Sequence, residues 1–98
     1  MEQNKLPDVL KGLKVLDMTR VIAGPYCGMM LADMGAEVVK LEVPGVGDDA
    51  RAYPPFQNGE SMMFQLFNRN KNSITLNLKT ERGKEIFKEL LPHFDILL

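Results

Sequence analysis

Leu13–Glu42, LKVLDMTRVIAGPYCGMMLADMGAEVVKLE, is the stretch that decides the fold. Lys14–Met18 is a short strand with Val15 and Leu16 at its apolar centre and Asp17 near its C-terminal end. Thr19–Gly24 is a loop, and Pro25 suits the first helical position, where a missing N–H costs nothing. From Pro25 to Met34 apolar side chains (Tyr26, Cys27, Met29, Met30, Leu31, Ala32, Met34) face nearly every direction, so this helix is expected to be buried all round. Gly35 suits the position just past a helix end, where the chain turns left-handed. Glu37–Glu42 then carries Val38, Val39 and Leu41 in the near-continuous apolar run of a parallel strand covered on both faces. Strand, helix and parallel strand make a βαβ unit. The chain is therefore read as α/β, with a parallel sheet flanked by helices. In such sheets the first strand-to-helix turn usually faces a ligand, which draws attention to Thr19–Pro25.

Outward from that unit the signals are weaker. Met1–Leu10 reads as a mixed polar tail with Pro7, followed by a turn at Lys11-Gly12. Val43–Gly59 is dense in turn signals (Pro44-Gly45, Gly47-Asp48-Asp49, Pro54-Pro55, Asn58-Gly59), and so long a loop in a small domain is usually functional or mobile. Ser61–Phe67 is a short apolar segment read as helix, and Asn68–Asn72 a polar turn. Ser73–Leu78 alternates, with Ile74, Leu76 and Leu78 on one face, and is read as a strand. Thr80 caps a further helix whose inward stripe is Ile86, Phe87, Leu90 and Leu91. Gly83 stands where a capping box would need an acid or amide, and costs about 1 kcal/mol against alanine in a helix interior. It is tolerable if that helix must lie against another backbone. Pro92 ends the helix, and Asp95–Leu98 begins a last strand. A sheet that stops there has a raw edge, so the expected organisation is a tail over 1–10 and, over 11–98, the N-terminal part of a larger domain.

The bulk numbers narrow the function classes. A net charge of −1 from 12 basic and 13 acidic residues carries no nucleic-acid footprint and no polybasic membrane patch. The apolar runs fall far short of the roughly 20 residues a membrane span needs, and the N-terminus lacks the apolar core of a signal peptide. A single cysteine, Cys27, cannot form an internal disulfide, which fits a reducing cytoplasm.

Several residues invite a chemical role. The first loop holds one glycine, Gly24, not the G-x-G-x-x-G that lets backbone approach a pyrophosphate. Glu42 stands about where a ribose-binding acid would, and reads equally well as a solvated strand-end charge. Asp17, at a strand's C-terminal end, is placed for catalysis, though such aspartates often just bond the next loop's N–H groups. Cys27 is expected as a buried structural cysteine. His93 sits favourably after a helix C-terminus, and one Cys and one His make no zinc site. Arg69, Lys71 and Lys79 bracket one strand and together form a candidate anion-holding corner, or an ordinary solvated turn.

The segments LKGLKVLDMTRVIAGPYC, MMLADMGAEVVKLEVPGVGD, FNRNKNSITLNLKTERGKEIFKELL and FDILL, in this order, closely resemble the N-terminal end of the family III CoA-transferases, a superfamily that also holds α-methylacyl-CoA racemase. The resemblance runs from about Leu10 to Leu98, and its motifs, each weak alone, are specific together. It implies a Rossmann-like core that is the N-terminal part of a larger, interlocked homodimer. It implies transfer of CoA between carboxylic acids through covalent catalysis by an aspartyl carboxylate, which splits one hard exchange into easier steps. That nucleophile lies beyond the matched segment and Asp17 does not correspond to it, so no catalytic residue and no metal site are assigned and the segment alone is expected to be inactive.

By the same resemblance Val21, Ile22 and Ala23, and then Leu76, Asn77, Leu78 and Lys79, match early contacts to coenzyme A, with Lys79 meeting a phosphate as a point charge. Two departures stand out. Val43 replaces an arginine that some members place after the strand-end acid, and Ile22 replaces a glutamine favoured by the oxalate branch. Acyl-CoA and a carboxylic acid are the implied partners. The rival readings are a racemase of the same superfamily, which would use a later His/Asp pair, a non-catalytic CoA-binding or dimerisation fragment, and, more weakly, a nicotinamide-binding domain.

Overall fold

The computed structural model describes residues 8–98. Residues 1–7 of the expected tail lie outside the described part. The remainder of that tail is tied down, because the Leu10 N–H donates to the Met34 carbonyl at 3.0 Å. Four strands form one parallel sheet in the order β5-β2-β1-β6: β1 Lys14–Asp17, β2 Glu37–Glu42, β5 Lys71–Thr75 and β6 Ile96–Leu97. Between them lie α1 (Ala23–Asp33), α2 (Met62–Phe67) and α3 (Glu81–Leu90). The long Val43–Gly59 loop is less irregular than its turn signals imply. It contains a 3-10 turn over Asp49–Ala52 and one strand of a small antiparallel hairpin, β3 (Phe56–Gln57) with β4 (Glu60–Ser61).

The βαβ unit forms where expected, with two adjustments to its helix. α1 begins at Ala23, so Pro25 is its third residue. That position still lies in the first turn, where no N–H has an intrahelical partner. Gly35 follows the helix at φ +104°, a backbone that L side chains rarely adopt. The helix is not buried all round. Pro25, Gly28, Met29 and Ala32 face the sheet, whereas Tyr26, Cys27 and Met30 are exposed. One side of a helix can lie on a sheet, and among the described residues the other side of this one is covered only in part, by the Phe67 ring edge-on to Tyr26 at 6.0 Å and by Arg69 and Asn70 on Asp33. Cys27 is therefore an exposed thiol rather than a buried one.

The strand after α2 is also shifted. It runs over Lys71–Thr75 instead of Ser73–Leu78, because its partner β2 ends at Glu42, which pairs with Thr75. One more bond, Leu76 N–H to the Glu42 carbonyl at 3.1 Å, closes the ladder, and Leu76–Lys79 then peel away from the sheet. The last strand is likewise shorter than expected, Ile96–Leu97.

Register explains where the core sits. Val15 pairs with Val38 and Asp17 with Lys40. In a parallel pair with a side-chain period of 2 these four side chains share one face. That face is apolar at its start, where Val15 and Val38 pack with Ala32 and Ala36, and charged at its C-terminal end. Leu10, Leu13, Leu31, Ile96 and Leu98 close the apolar part.

In α3 the Thr80 hydroxyl accepts the Gly83 N–H at 3.0 Å, as a cap should. Gly83 is buried against the carbonyl of Asn77 with no room for a Cβ, the close backbone approach that its presence implied.

Candidate functional site

The carboxyl ends of β1, β2 and β5 open onto a cleft of about 710 Å³. Open α/β sheets place ligands at this edge because the strand-to-helix loops diverge there. One wall is Met18, Thr19 and Arg20 after β1. The second is Leu41–Pro44 with Val46 and Asp48, from β2 and the loop that follows. The third is Leu76–Lys79 after β5. The cleft thus joins aliphatic walls to two cationic side chains, Arg20 and Lys79, both exposed. Such a mixture suits an anionic ligand with a flat apolar part.

Beneath the cleft lies a layer of buried charge. Lys40 and Asp48 pair at 2.7 Å with both side chains at most 1% exposed. Lys71 and Asp17 pair at 2.8 Å, equally dry. Glu42 takes a two-pronged grip from Arg51 (Nε to Oε1 2.8 Å, Nη2 to Oε2 2.7 Å) and also accepts the Ser73 hydroxyl and the Asp48 N–H. The Arg51 guanidinium stacks 3.9 Å from the centre of the Phe64 ring, a favourable cation–π contact. The Arg51 hydrogen bonds, assisted by Ser73 and the Asp48 N–H, hold Glu42 at a pKa of about 2. Burial pushes Asp48 up, but the Lys40 ammonium and the N–H groups of Ala50 and Val21 outweigh it, so its carboxyl stays below the usual range. Burial lowers Lys71, against the pull of Asp17. Charges this dry persist because each has a partner within hydrogen-bond distance.

Of the seven residues matched to CoA contacts, the structure brings Leu76, Asn77, Leu78 and Lys79 together on the cleft. The Asn77 side chain accepts the Lys79 N–H at 3.0 Å and holds that turn. Val21, Ile22 and Ala23 continue from the Thr19-Arg20 wall but do not line the cleft. Val21 is half-buried, Ile22 is 45% exposed, and Ala23 opens α1.

The candidate anion corner does not form. Arg69 turns to Asp33 at 2.6 Å, Lys71 is consumed by Asp17, and only Lys79 reaches the cleft. Asp17 is held on its other oxygen by the Thr19 N–H at 2.8 Å, as strand-end aspartates often are. Glu42 is neither solvated nor free, being consumed by Arg51 and Ser73. Sequence reasoning passed over Arg20, Lys40 and Asp48. The signal for Lys40 was a lone charge inside the run VVKLE, since a lysine in a strand covered on both faces must find an anion.

A family model described as CoA-transferase family III matches residues 10–98. The chain belongs to CoA-transferase family III. The succinyl-CoA:glutarate CoA-transferase of Mus musculus is 52% identical over 90 residues, which cover 91% of this chain and 21% of that protein. The succinyl-CoA–D-citramalate CoA-transferase of Chloroflexus aurantiacus is 40% identical over 99 aligned positions, covering all of this chain and 25% of its own. Among solved structures, a CAIB/BAIF family protein from Brucella suis superposes with a TM-score of 0.82 at 39% identity, over 91% of this chain and 25% of that one. This family III chain therefore spans a fifth to a quarter of the length of the curated relatives it matches.

Proposed function

We propose that this chain forms the nucleotide-side wall of the CoA groove in an acyl-CoA:carboxylate CoA-transferase. The observation that carries the proposal is the cleft itself. The stretch Leu76–Lys79, matched to family CoA contacts by sequence, falls on a single cavity at the sheet's carboxyl edge in a chain of family III. In this reading the backbone of Leu76–Leu78 lies along the adenine, and Lys79 meets a phosphate, with Val21–Ala23 further along the same ligand toward the thioester.

In this reading the covalent step falls to an aspartate outside the matched residues 10–98, and these residues by themselves are expected to turn nothing over. The reading extends to a homodimer in the cytoplasm; Tyr26 and Met30, exposed on α1, form a face that a second copy or the remainder of the full-length protein would cover. A succinyl-CoA donor and a dicarboxylic acceptor are proposed because the relatives described above carry them in their names.

The test is an exchange assay on the full-length protein with succinyl-CoA and a series of dicarboxylates, beside a calorimetric titration with free CoA. CoA binding with transfer between acids is the expected result. Absence of both refutes the reading, and racemisation of a 2-methylacyl-CoA without transfer replaces it by the racemase branch.

A further inference from the structure

The buried Lys40–Asp48 pair joins two walls of the cleft that are far apart in sequence. Lys40, on β2, donates to the Thr19 carbonyl at 3.1 Å as well as to Asp48 at 2.7 Å. The other Asp48 oxygen, Oδ1, accepts the Val21 N–H at 3.0 Å and the Ala50 N–H at 2.9 Å. Thr19 and Val21 belong to the loop after β1, whereas Asp48 and Ala50 belong to the loop after β2. Two side chains therefore fix the main chain of both loops, from a site that water does not reach.

The geometry has a second mark. Val21 stands at φ +71°. A β-branched residue in that region is strained by its Cβ, on the order of 1–3 kcal/mol, and persists only where its surroundings hold it. The Val21 N–H is the group that Asp48 grips, so the carboxylate has a specific conformation to hold in place.

We infer that Lys40 and Asp48 are positioning residues for acyl-CoA: through charged groups that are themselves buried, they hold the Thr19–Ala23 loop in its strained form and in register with the facing wall. This rests on the CoA-groove reading above. Its consequence is that CoA affinity depends on an ion pair whose side chains are buried within the cleft wall. An account in which the pair only adds stability predicts a lower melting temperature and normal affinity below it.

The experiment uses the full-length protein. Asp48→Asn puts an amide N–H₂ or a weaker acceptor against the ammonium and loosens both walls. The Kd for free CoA and the KM for acyl-CoA are expected to rise about tenfold, with kcat at saturation within about twofold of wild type. Adding Val21→Gly removes the penalty for φ > 0, so the double variant should regain about threefold of the lost affinity even if its melting temperature stays low.

Met29→Ala, a core truncation under α1, serves as the control that lowers the melting temperature without moving the Kd. A measurement on the unaltered protein covers the case in which Asp48→Asn does not fold. The Val21 amide, outside every helix and strand, should exchange with deuterium at least about 100-fold more slowly than an open loop amide.

Wild-type protein that does not bind CoA refutes the groove reading itself. Wild-type binding with an unchanged Kd in Asp48→Asn, or a Val21 amide exchanging freely, refutes only the positioning role.

Discussion

Replacing Gly83 by alanine pits two effects of opposite sign against each other. Gly83 is the third residue of α3, and by helix propensity alone alanine there would stabilise by up to about 1 kcal/mol. The tertiary structure reverses the expectation. A Cβ at this position would overlap the Asn77 carbonyl oxygen, and would lie 2.7 Å from the carbonyl carbon and 3.0 Å from the Thr80 hydroxyl. Carbon atoms in contact normally stand about 3.5–4.0 Å apart. The obstacle is main chain, which cannot rotate aside as a side chain does, so the Asn77–Thr80 turn must move by on the order of 1 Å. Overpacking of that kind costs about 1–3 kcal/mol. After the propensity gain the expected net is a destabilisation of about 1 kcal/mol, read as a lower urea midpoint at unchanged slope. The same movement shifts the turn that presents Leu78 and Lys79 to the cleft, so the KM for acyl-CoA should rise as well. A Gly83→Ala variant more stable than wild type, with an unaltered KM, would refute both the close approach and its link to the groove.

Other consequences follow from particular contacts. Lys71→Met leaves the Asp17 carboxylate dry and without its cation, a change that typically costs about 3–5 kcal/mol. Chemical denaturation measures it, and a loss below about 1 kcal/mol would mean that water reaches the pair. Lys79→Ala should raise the acyl-CoA KM while leaving kcat nearly unchanged, and an unchanged KM removes Lys79 as a phosphate contact.

Acid stability gives a further prediction. Glu42 has a folded pKa of about 2 against an ordinary 4.5, so its contribution is full above pH 4.5 and is lost as pH falls through 2. That gap is worth on the order of 3 kcal/mol. Because Arg51 is 45% exposed, solvent screening reduces it to about 2 kcal/mol. Glu42→Gln should abolish that part of the acid slope, and an unaltered slope between pH 4.5 and 2 would show that Glu42 is not the group responsible.

Much was legible in the sequence because it depends on local chemistry. The apolar runs of β1 and β2, Gly35 beyond α1, Thr80 before α3 and Pro92 after it act through the backbone of their own neighbourhood, and each stands where its residue type implies. The ordered motifs from Leu10 onward likewise sufficed to point to the family to which the chain belongs. Gly83 was partly legible, as an odd glycine in need of a close neighbour, but its neighbour was not.

What only the tertiary structure decided are the partners. Whether a charge is solvated or buried, and against what, depends on strand register. The pairing of Asp17 with Lys40 and of Val38 with Lys71 put three charged side chains, one from each of three strands, on or beside one face, with Asp48 brought over them by a loop that no periodicity describes. For the same reason the expected corner of Arg69, Lys71 and Lys79 dissolved. Adjacent cations in sequence went to three different surroundings, since Asp33, Asp17 and the cleft lie in different directions from β5. Where a strand ends was likewise settled by its partner: β5 stops at Thr75 because β2 has run out, and that early stop frees Leu76–Lys79 to become a wall of the cleft.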